Sequence, residues 1–105
     1  MTTATFISNN AQDLLDKSLI IRDSLFNQLV AIEKALITNE ATNTLLRMEF
    51  VDLAEKGINT DSVQSKIEFN AKEWAIQTKY LISTKKEIEA NQMEIDTLQV
   101  MCKIF

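Results

Sequence analysis

From Asp61 onward the apolar residues keep a regular beat. Val63, Ile67, Asn70, Trp74, Gln77, Leu81, Thr84, Ile88, Asn91, Ile95, Leu98, Cys102 and Phe105 follow one another at alternating steps of 4 and 3. Residues so spaced share one face of an α-helix. A beat held over several heptads makes that face a seam that winds against another helix. Ile67, Trp74, Leu81, Ile88 and Ile95 are the residues predicted to carry it. The alternate places are polar until Leu98: Asn70, Gln77, Thr84 and Asn91. These four are expected at the wet edge of the seam, because polar groups avoid burial unless they are hydrogen-bonded.

A second apolar line, Phe69, Ile76 and Tyr80, lies roughly 180° around the same helix. One packed neighbour cannot cover both lines, so this helix is expected between two others. That favours contact with a further copy or with a partner protein.

The first half of the chain carries a broader stripe. Asn9 or Asn10 can cap a helix, with Asp13 in its first turn. Leu14, Ser18, Ile21, Leu25, Leu29, Ile32 and Leu36 mark one face, and Leu15, Leu19, Phe26, Val30 and Ile37 widen it. Arg22 and Glu33 fall within the stripe, about 16 Å apart along the axis and so unable to pair. Arg22 is expected to reach the rim through its aliphatic stem. The alternative is that it meets a carboxylate on another helix and sets the register. Asn39 and Asn43 are further register candidates.

Residues 38–44 are poor in helix formers. The beat nevertheless survives them: Leu36, Asn39, Asn43, Leu46, Phe50 and Leu53 keep steps of 3, 4, 3, 4 and 3. A loop has no reason to hold helical phase, so a single helix is predicted over about 10–56. The alternative is a break near 38–44 and a three-helix bundle. Gly57 fits the left-handed position after a helix end, with Ile58 folding back on Leu53. Asp61 can cap the next helix and Gln64 can close a capping box. Between them lies a turn over 57–60, followed by a helix over about 61–103.

The predicted fold is therefore all-α, a long antiparallel helical hairpin over 10–105, behind a flexible arm over 1–9. Counted back from the turn, Phe50 would lie near Ile67 and Asn43 near Trp74, whose indole N–H the amide could accept. Two helices cannot hide both the broad stripe and the Phe69 line. A four-helix bundle or a larger helical assembly is expected to do so.

Composition changes this picture only by exclusion. The 105 residues include one Gly and no Pro, which leaves few turns to make. The formal charge of −4 opposes nonspecific binding to nucleic-acid phosphates. No apolar run is long enough to span a bilayer, and the N-terminus lacks the basic start of a signal peptide. A cytoplasmic protein is expected, or one exported by a leaderless route. Cys102 is the single cysteine and sits in the seam as a small hydrophobe. There is no histidine, which removes the commonest general base and zinc ligand. The single glycine excludes a phosphate-cradling loop. No enzymatic activity, metal or cofactor is expected.

Two functional classes follow. The first is a helical interaction protein that self-associates or binds another helical protein, such as an assembly subunit, a small chaperone or adaptor, or a leaderless secretion-system protein. The Trp-x-Gly turn of type VII secretion hairpins is absent, because Glu55 and Lys56 precede Gly57. Their Tyr-x-x-x-acid signal is absent too, since Thr84 stands four residues after Tyr80. The second class is a small acidic phage-type inhibitor of a nucleic-acid-binding enzyme. Phosphate mimicry would need one continuous acidic face, and here 11 basic residues are interspersed with 15 acidic ones.

Overall fold

The computed structural model describes residues 3–104, except for the side chains of residues 4–8. Two α-helices form a hairpin: α1 over Thr3–Glu55 and α2 over Asp61–Ile104. No strand occurs among the described residues. Phe105, the last seam position, lies outside them, as do residues 1 and 2 of the expected arm.

α1 begins at Thr3, within the stretch expected as an arm, so no separate arm is seen from Thr3 onward. Asn9 and Asn10 are helical and cap nothing. No Pro or Gly interrupts the chain between Thr3 and Lys56, and nothing in the backbone forces a start at Asn10. The helix also runs unbroken through 38–44, which removes the three-helix alternative. Two threonines there are accommodated by bonding backward. Thr38 Oγ1 donates to the Lys34 carbonyl at 3.0 Å, and Thr44 Oγ1 to the Glu40 carbonyl at 3.1 Å. Their hydroxyls thus find partners without opening the helix.

The turn is fastened on both sides. Gly57 has φ +70, and no other residue has positive φ among those described. The Ile58 N–H donates to the Leu53 carbonyl at 2.9 Å and the Gly57 N–H to the Ala54 carbonyl at 3.1 Å. This is the paired bonding of a Schellman end, with glycine in the left-handed place. The start of α2 differs from the expected capping box. The Asn59 side-chain oxygen accepts the Asp61 N–H at 2.8 Å, and the Thr60 carbonyl accepts the Gln64 N–H at 2.9 Å. Thr60 is therefore the cap, and Asp61 occupies the first turn, where its charge suits the helix dipole.

The chain packs as two compact units. The first joins the part of α1 up to Leu29 with the part of α2 from Ser83 onward. Its centre is Ala11, Leu15, Ile95 and Leu98, with Leu19, Met101 and Cys102 packed against them. Leu25 is buried here too, as are the polar Ser18, Thr84 and Asn91. The second unit is Val30–Ile82. Val63 and Asn70 are buried there, while Ile32, Leu36, Leu46, Phe50, Leu53, Ile67 and Leu81 are half-buried.

The α1 seam corrects the sequence reading at two places. Leu15 and Arg22 turn inward, whereas Leu14 and Ile21 are exposed. Strict 4, 3 stepping back from Leu25 reaches Arg22, Ser18, Leu15 and Ala11. The doublets Leu14-Leu15 and Ile20-Ile21 supply apolar residues one step out of that phase, which is why hydrophobicity alone misplaces the face. The polar places of α2 need correction as well. Asn70, Thr84 and Asn91 are buried rather than at a wet edge, and Gln77 is half-buried.

Candidate interaction surface

In the first unit the seam is sealed by apolar contact and one polar fastener. Ile95 is only 1% exposed and sits in the central cluster. Ile88 is half-buried. The Asn91 Nδ2 donates to the Ser18 carbonyl at 3.1 Å, tying α2 to α1. The Oδ1 of the same amide is buried without a partner. An unmet buried acceptor costs roughly 1–3 kcal/mol, so the amide is retained at some expense to stability.

Arg22 does not cross to another helix. Its Nε lies 3.7 Å from Asp23 Oδ1 on the neighbouring residue, and its side chain is half-buried. Glu33 is exposed.

In the second unit the seam residues spread around shallow grooves. Asn39, Asn43, Asn70 and Trp74 line one of them together with Arg47. Asn43 and Trp74, expected as neighbours, thus line one groove, and Phe50 and Ile67 line another. Asn43 Oδ1 accepts from Arg47 Nε at 3.1 Å, and no bond to it from the Trp74 indole is formed. Trp74, predicted as a seam anchor, is 45% exposed. Ile67 and Leu81 are half-buried.

The second line of α2 faces outward in the single chain. Phe69 is 66% exposed and Tyr80 57%, with Ile76 between them also exposed. A groove of about 470 Å³ runs beside Phe69, lined by Thr42, Leu46, Ser65, Lys66 and Glu73 among others. The α1 helix adds exposed apolar residues that the sequence reading missed. Leu45, Met48 and Val51 are exposed, and the last two line a separate groove with Arg47 and Asp52. Their signal was present: Ile37, Met48 and Val51 stand 11 and 3 residues apart, each near a whole number of turns. Phe26, Val30 and Ile37, which widen the α1 stripe, are exposed as well.

Charges do little to close these faces. Lys17 with Asp13 and Lys56 with Asp52 form exposed pairs along α1, at 3.6 and 3.0 Å. Pairs of this kind are worth a few tenths of a kcal/mol. Among the described residues no cluster of His, Cys, Asp or Glu is placed to hold a metal ion. No described helix is long and apolar enough to cross a membrane. No protein-family model matches the chain, no curated protein matches its sequence, and no solved structure matches it.

Proposed function

We propose that this chain is a non-enzymatic helical interaction protein, which associates with copies of itself or with another helical protein. The roles that suit such a hairpin are assembly subunit, small chaperone or adaptor, and leaderless secretion-system protein. The observation that carries the reading is the exposure of Phe69, Ile76 and Tyr80 in one line along α2. Scattered apolar residues are ordinary on a protein surface, but aromatic residues in helical register mark contact faces. The missing histidine and the single glycine add support, since they remove the usual means of proton transfer and phosphate binding. The acidic-inhibitor reading draws less support, because 11 basic residues are interspersed with the 15 acidic ones along the chain.

Light scattering over a wide concentration range tests the proposal, together with capture of helical proteins on the immobilised chain. A mass above the 12.0 kDa of one chain, or saturable capture, is expected. A single-chain mass throughout, with cooperative melting and no capture, would overturn it.

A further inference from the structure

The Phe69 face of Val30–Ile82 has an ordered layout. Phe69, Glu73, Ile76 and Tyr80 follow at steps of 4, 3 and 4, so they form one line along α2. The groove that receives Thr42 and Leu46 from α1 lies directly beside this line. A ridge and a trough therefore share one face. Such a face can be complementary to itself under a two-fold rotation, with the ridge of each copy entering the trough of the other.

The charges select the direction of that rotation. Lys66 stands three residues before Phe69 and Glu73 four residues after it, and both line the groove. Two copies laid parallel in register would oppose lysine to lysine and glutamate to glutamate. Two copies laid antiparallel about an axis at Phe69 set Lys66 of each against Glu73 of the other.

We infer that this face is a two-fold interface between copies of this chain, with the α2 helices antiparallel, Phe69 nearest the axis and seated in the opposite groove, and two Lys66–Glu73 pairs flanking it. The inference rests on the reading of the chain as a helical interaction protein and adds its occupant and geometry. Ile76 extends the apolar contact away from the axis on each side, whereas Tyr80, 11 residues from Phe69, lies past the start of the opposing α2, which is 8 residues from the axis.

Charge reversal in the full-length chain tests it. Sedimentation equilibrium would compare the parent with Lys66→Glu, with Glu73→Lys and with the double variant, with circular dichroism confirming that each stays helical. Each single variant is expected to weaken dimerisation by about tenfold or more, and the double variant to recover to within about threefold of the parent. A second measurement uses Phe69→Cys in a Cys102→Ser background, where mild oxidation should link the copies across the axis. Unchanged association in both single variants, with no cross-link at position 69, would overturn this face and leave self-association through another face standing. A parent that stays at single-chain mass would overturn the inference and self-association together.

Discussion

The unit that joins the outer parts of the two helices and the unit next to the turn follow the same 4, 3 beat, yet they are closed to different degrees. The outer unit buries Ala11, Leu15, Leu25, Ile95 and Leu98. Among the apolar residues of Val30–Ile82, only Val63 reaches that degree of burial, and Trp74 stands 45% exposed. Seam residues alone do not account for the contrast, because both units place polar groups in the seam. What differs is their partners. Asn91 in the outer unit reaches the Ser18 carbonyl across the helix pair. Asn43 in the inner unit turns to Arg47 on its own helix. Asn91 thus ties the helices at one register, whereas Asn43 bonds along its own helix and lines a groove. Both units leave large apolar residues exposed, Ile20, Met93 and Ile104 among those of the outer one, but only the outer unit buries an apolar cluster between its helices.

The largest expected effect would test the sealed side. Ile95→Ala should lose about 2–5 kcal/mol in urea titration, as deletions at well-packed sites do. Ile67→Ala, at a half-buried place in the inner unit, should lose less than about 2 kcal/mol. Equal losses would erase the contrast between the units. Gly57→Ala comes next. A β-carbon there meets nothing within 4 Å, so the cost is that of a left-handed backbone alone, about 1–2 kcal/mol. A loss much below this in thermal melting would mean that the turn relaxes to another conformation.

Asn91→Leu should have the opposite sign. It removes an unmet buried acceptor along with one bond, and a gain of about 1 kcal/mol is expected. A loss instead would show that the tie to Ser18 outweighs the unmet oxygen. Lys56→Ala should be the smallest change. The pair with Asp52 is well exposed, so a loss of no more than about 0.5 kcal/mol is expected, fading in high salt.

Much of this fold was legible in the chain because periodicity is a long-range signal. The α2 seam could be placed from Val63 to Cys102 except at Trp74, which is exposed while Glu73 beside it is half-buried, and phase alone carried α1 through Thr38–Thr44 against poor local propensity. Gly57 announced the turn, since a lone glycine after a helical run has few other uses. Short-range choices were less legible. Leu14-Leu15 and Ile20-Ile21 offer two phases one residue apart, and only strict stepping back from Leu25 separates them. Asn59, Thr60 and Asp61 are all capable caps, and their order in the turn decided among them. The burial of Asn70, Thr84 and Asn91 was not legible, because the cost of hiding an amide depends on a partner that lies far away in the chain. At the candidate face, the Phe69 line could be read from spacing. The groove beside it could not, because it needs Thr42 and Leu46 brought across from α1.

The doubly fastened bend at Gly57 also bears on the order of events during folding. Pairing that begins at residues 53 and 63 closes a far shorter loop than pairing at 15 and 98, so its entropic cost is lower. Zipping should run outward from the bend, with the snuggest contacts, around Ile95, made last. Mutational kinetics would then place Val63 in the rate-limiting step and find Ile95 acting on unfolding instead. A chain built this way secures its loosest part first and locks far from the bend.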